Sequence, residues 1–126
     1  MKSQRGQALV ETALLLPILL ILLFGITDLG RVFHAYLTLD HAGREAARVA
    51  AIGADDAEII DKIELATGSL NEDKLTHTIS PQGKSNRPSG SEVTITLNYS
   101  IELLTPLISH LSGPIELENK TVMRVE

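Results

Sequence analysis

Two hydrophobic rhythms divide the chain. From Ala8 to Thr27 nearly every position is apolar (ALVETALLLPILLILLFGIT), and Glu11 is the one charge in the run. A helix rises ~1.5 Å per residue, so this run reaches ~30 Å, the thickness of a bilayer's hydrocarbon core. A soluble chain of this size has no interior deep enough for such a rod, and the pattern predicts a membrane-inserted helix. From Asp28 to Ile52 the period becomes 3.6. Val32, Tyr36, Leu39, Gly43, Ala46 and Ala50 share a stripe, and His34, His41, Arg44, Glu45 and Arg48 fall opposite. The stripe shrinks to Ala and Gly towards its end, so a second layer of backbone can approach closely. One long helix is expected, half in lipid and half supporting a head, ending near Gly53.

The head follows in short elements. Asp55 and Glu58 read as a capping box opening a helix to about Thr67, with Ile59, Ile60 and Ile63 inward and Gly68 as its stop. Leu70–Lys74 reads as loop. The period then changes to two. Leu75–Ile79 is an expected strand, and Val93, Ile95, Leu97, Tyr99 and Ile101 alternate with polar residues in a second. Between them Pro81–Ser91 is a turn-rich, exposed connection. Thr105 and Pro106 suit the N-cap and first position of a short helix whose apolar face is Leu104, Leu107, Ile108 and Leu111. Gly113 ends it. Ile115, Leu117, Met123 and Val125 mark a last strand, interrupted by polar Asn119–Thr121. The order predicts an α+β fold: a long helix laid across a small antiparallel sheet, with short accessory helices.

Charge orients this picture. The chain of 126 residues carries a net charge of −5. Lys2 and Arg5 precede the apolar run and Asp28 follows it, so the positive-inside rule places the N-terminus in the cytoplasm and the head outside. The head's acidity argues against nucleic acid, whose binding needs clustered Lys and Arg. Without cysteine there is neither a disulfide nor a thiolate site. MKSQRG (Met1–Gly6) is short, basic and ends in glycine, as a cytoplasmic tail or a leader would. An ordinary secretory signal fits poorly, because no small-x-small site follows Ile26 and Glu11 breaks the apolar stretch. Pro17 removes one backbone donor and crowds the Ala13 carbonyl, which makes either a harmless kink or a hinge.

Candidate chemistry is sparse. His41 and Glu45 lie one turn apart, but a structural zinc site takes about four ligands, and this pair suits a solvated helix face. No nucleophile elbow, P-loop or dinucleotide fingerprint occurs. Neither an enzyme, a cofactor nor a metal is expected. Asn98 and Asn119 begin sequons that fall in predicted strands.

The run RGQALVETALLLPILLILLFGITDLGRVFHAYLTLDHAGREAARVAA resembles the TadE-like pseudopilins of the tight-adherence (Flp) branch of type IV pilus systems. VTITLNYSIELLTPLI and TVMRVE are similar to the strand, amphipathic turn and closing strand of such proteins. The resemblance is weakest over Asp55–Ser91. It implies a type IV pilin-like fold, made with a leader (residues 1–6) that a prepilin peptidase removes between Gly6 and Gln7. Classical type IV pilins often begin the mature chain with Phe or Met, and Gln7 departs from that. The mature protein would hold residues 7–27 in the cytoplasmic membrane as a single-pass helix and 28–126 as an extracytoplasmic head. Its partners would be lipid before assembly, then other pilin-like subunits, alike or different, and the pilus assembly machinery, in a filament outside the cell. Glu11 has two readings. It pairs with the new α-ammonium, in its own or a neighbouring subunit, and sets the register of assembly; or it is a first-turn carboxylate favoured by the helix dipole. A membrane-anchored binding, adhesion or chaperone domain that never polymerises is the rival to a filament subunit.

Overall fold

The computed structural model describes residues 2–126. A single helix, α1 (Lys2–Ala51), runs unbroken through Pro17 and closes at Gly53, whose φ of 93° only glycine adopts without strain. All nine buried residues of α1 lie between Asp28 and Ala51. The packed stripe is Ala35, Leu39, Ala42, Gly43, Ala46, Ala47 and Ala50, one position off the expected line at its start. Tyr36, expected inward, is 52% exposed, because Ala35 takes the inner position on that turn.

The helix α2 (Asp56–Ala66) packs against α1 through Ile59 and Ile63, both buried, with Ile60 half-buried. Asp55 caps it by accepting from the Glu58 amide at 2.9 Å, but the reciprocal contact from Glu58 is not formed among the described residues. Thr67, not Gly68, ends it. The Thr67 hydroxyl donates to the Ile63 carbonyl at 2.7 Å, and Gly68 keeps a negative φ. Leu70–Lys74, expected as plain loop, contains a 3-10 turn at Glu72–Lys74 capped by Asn71.

Three strands follow: β1 (Leu75–Ser80), β2 (Glu92–Ile101) and, after the short helix α3 (Pro106–Ser112), β3 (Ile115–Arg124). They form one antiparallel sheet in the order β1-β2-β3. Ile95 sits opposite Ile79 on one side and Thr121 on the other. Alternation does the rest: Val93, Ile95 and Leu97 are fully buried against α1, and the intervening threonines look outward. The expected α+β arrangement, a long helix across a small antiparallel sheet, is the fold.

The expected break at Asn119–Thr121 is instead continuous strand. Both polar side chains face inward, where Gly43 makes room. Thr121 Oγ1 donates to Asn119 Oδ1 at 3.1 Å, and Asn119 Nδ2 donates to Asp40 Oδ1 at 3.3 Å. A Cβ on Gly43 would lie 2.5 Å from Asn119 Oδ1 and 2.7 Å from Thr121 Oγ1. Gly43→Ala displaces only those side-chain ends. Gly43→Leu is expected to prise β3 from α1 and cost about 3 kcal/mol, read as a lower denaturation midpoint.

Candidate functional site

The surface of α1 before Asp28 is bare. The most apolar stretch of this helix is nowhere buried. Leu14, Leu15, Ile18, Leu22 and Ile26 are all exposed. Polar side chains within the run satisfy themselves: the Thr12 hydroxyl donates to the Ala8 carbonyl and the Thr27 hydroxyl to the Leu23 carbonyl, each at 2.9 Å. Glu11 is the exception. Its Oε1 receives one long hydrogen bond, 3.4 Å from Gln7 Nε2, and among the described residues no basic group pairs with it. Gly6 and Gln7 lie in the first turns of α1, exposed. A Cβ on Gly6 would meet nothing within 4 Å, so the packing of the monomer sets no requirement for glycine there. Pro17 sits mid-run without ending the helix.

The head is joined to this rod at Asp28, which the sequence offered only as a boundary charge. Asp28 is 5% exposed. Its Oδ1 accepts from the Leu104 amide at 2.9 Å, and its Oδ2 accepts from the Thr105 amide at 2.9 Å and the Thr105 hydroxyl at 2.7 Å. Arg31 stands 3.4 Å from Oδ1 and donates to the Glu102 carbonyl at 2.9 Å. Thr105 does hold the N-cap position of α3, but its hydroxyl serves Asp28 and not the helix. Burial pushes the Asp28 carboxyl up. The Leu104 amide, the Thr105 hydroxyl and amide, and the Arg31 charge outweigh it and hold the group below its ordinary value.

A second clamp lies at the far end. Arg87, in the connection expected to be exposed, is 5% exposed because its guanidinium fills a gap between α2 and the loop. It donates to the Pro81 carbonyl at 2.8 Å and the Ala54 carbonyl at 3.1 Å, and its Nη1 lies 2.7 Å from Asp56 Oδ1. With its hydrogens aimed at the two carbonyls, Arg87 meets Asp56 Oδ1 as a charge and leaves that oxygen without an aligned hydrogen bond. Asp56 Oδ2 accepts from the Gly83 amide at 2.9 Å. The Gly83 amide first, and then Arg87, hold the Asp56 carboxyl below its ordinary value against the effect of burial.

Both acids therefore stabilise the fold only while ionised. Their folded pKa values are depressed, so their contribution is full above the ordinary carboxylate range and is lost as pH falls through the folded values. Thermal melts in neutral detergent should hold steady near pH 7 and fall progressively from about pH 4 downwards. Asp28→Asn is expected to remove part of that slope and to speed amide exchange at Leu104 and Thr105 by about a hundredfold, since an amide group cannot accept from three donors as a carboxylate does.

The charged face of α1 is a solvated ladder: Arg44 pairs with Asp40 at 2.7 Å and Arg48 with Glu45 at 2.9 Å. His41 is exposed, His34 Nε2 lies 3.1 Å from Ser69 Oγ, and no three ligating side chains converge on a metal site among the described residues.

An exposed apolar rod that continues as the spine of a small α+β head fits a single-pass membrane anchor. The family model described as TadE-like protein matches residues 6–48, the whole rod and most of the packed half of α1. This is the family the sequence resemblance pointed to. It is a structural, pilus-related family, and the match supports a pilin-like protein associated with a Tad pilus. No curated protein and no solved structure matches the chain.

Proposed function

We propose that the protein is a pilin-like subunit of a tight-adherence type filament, cut after Gly6 by a prepilin peptidase and assembled through α1. The observation that carries this reading is the distribution of exposed apolar surface on α1. A plain anchor needs apolar surface only within the membrane. Here it continues past Asp28: Leu29, Phe33 and Leu37 remain exposed, and Leu29, Phe33 and Tyr36 border an open apolar cleft with Leu117. Parallel neighbouring helices would cover the rod and this extension together when the subunit leaves lipid. Gly25 and Gly30 support the same reading. Each has open space where a Cβ would be and each weakens the helix by about 1 kcal/mol, which close approach of another helix would offset.

Glu11 is then the register device. Cutting at Gly6–Gln7 removes Lys2 and Arg5 and creates an α-ammonium one turn before Glu11. In a dry bundle of helices each charge is costly alone and stable only when paired. The N-terminus faces the cytoplasm and the head the other side in this scheme. Shearing cells and separating surface material from membranes tests the reading. A filament subunit appears in the sheared fraction; recovery from membranes alone would favour a membrane-anchored binding or chaperone domain. Gly6→Val is expected to leave the chain uncut and confined to the membrane.

A further inference from the structure

The helix α3 buries none of its residues. Its expected apolar face exists but points away from the sheet: Leu107 is 65% and Leu111 86% exposed, with Leu104 and Ile108 about half exposed. Apolar side chains grouped on one short helix form an outward face that would gain from a partner. Its position identifies one. The Asp28 clamp fixes the start of α3 against α1, and Ile108 and Leu103 share a cleft of about 540 Å³ with Ile21, Leu22 and Ile26. Those residues lie up to seven positions before Asp28, ~10 Å back along α1 towards the middle of its apolar run. The exposed face of α3 is thus continuous with the membrane-spanning surface.

We propose that α3 lies in the membrane interface beside α1, with Leu107, Ile108 and Leu111 in the boundary between headgroups and acyl chains. The proposal rests on α1 crossing the membrane. The chemistry of the segment suits that depth. Leu103–Ile115 carries no Asp, Glu, Lys or Arg, and Glu102 and Glu116 bracket it. The Ser109 hydroxyl donates to the Pro106 carbonyl and the Ser112 hydroxyl to the Ile108 carbonyl, so neither is left bare in an apolar layer. Ser109 and His110 border a separate cleft with Glu102, so the polar side chains of α3 lie on a different side from Leu107 and Leu111. With no Lys or Arg on the segment, the partner is the acyl region of neutral lipid and not an anionic headgroup. The clamp and α3 together would fix the tilt and rotation of α1 before assembly.

The chain lacks cysteine, so single labels can be placed cleanly. Leu107→Cys, Leu111→Cys, Leu15→Cys and Val122→Cys, each carrying an environment-sensitive fluorophore, would be reconstituted as full-length chains in phosphatidylcholine vesicles at low protein density. Spin-labelled lipids with shallow or deep quenchers then report depth. The expected result is blue-shifted emission at 107 and 111, quenched more by the shallow than the deep label, with no lipid quenching at 122. Leu15 tests the reading beneath: quenching there by the deep label shows that the rod is inserted. A quenched Leu15 with unquenched 107 and 111 would overturn the placement of α3 alone. Shielding of 107 and 111 that appears only at high protein density would also overturn it, since the occupant would then be a second copy. An unquenched Leu15 would remove the membrane reading itself.

Discussion

Glu11→Ala is expected to insert into the membrane at wild-type levels and to reduce sheared surface filaments by about a hundredfold or more. Loss of one member of a desolvated charge pair costs about 3–5 kcal/mol, and each 1.4 kcal/mol is about tenfold in an association constant. The defect should be confined to assembly, because Glu11 has only the long contact from Gln7 within the monomer. Glu11→Gln separates the two roles of this acid. It keeps the size and the helix but not the charge, so a register pair fails with it as with alanine. A carboxylate that merely favours the helix dipole contributes about 0.3–1 kcal/mol, and its loss would leave filaments nearly unchanged. Immunoblots of sheared and membrane fractions read both outcomes.

Arg87→Ala is expected to destabilise the head by about 3 kcal/mol. The substitution leaves the Ala54 and Pro81 carbonyls without their donor and strips Asp56 of its opposing charge. For a head of this size that is a fall in melting temperature of roughly 12–24 °C. Lys84→Ala in the same loop, where the side chain is exposed, should stay within about 0.5 kcal/mol of wild type. Because the rod is far from Arg87, membrane insertion should be unaffected, and the difference would appear as faster proteolysis of residues beyond α1.

Much of the fold was legible because it rests on periodicity. The alternation of Val93, Ile95 and Leu97 fixed which face of β2 meets α1, and the shrinking stripe ending in Ala46 and Ala50 foretold close packing of helix on sheet. What escaped was long-range. Asp28 sits at the edge of the apolar run and Arg87 in a polar loop, and little in the local sequence distinguishes either from a solvated charge. Their burial depends on donors and acceptors many residues away: Leu104 and Thr105 for the first, Ala54 and Pro81 for the second. A charge placed immediately after a membrane run, with a Thr-Pro helix start elsewhere, was the only signal for the Asp28 clamp. Asn119 and Thr121 escaped for a related reason. Two inward polar residues break the apolar pattern, but they satisfy each other and Asp40, and the strand persists across them. The face of α3 was read correctly as apolar, and periodicity alone does not say whether such a face meets a core or a membrane.

The central claim is that this chain is trimmed and handed from lipid to a bundle of like helices. The most direct test is the N-terminal residue of the chain recovered from sheared surface material, measured by mass spectrometry in cells that carry the peptidase. The account predicts Gln7 at the terminus. A chain in that material still beginning at Met1 would contradict it.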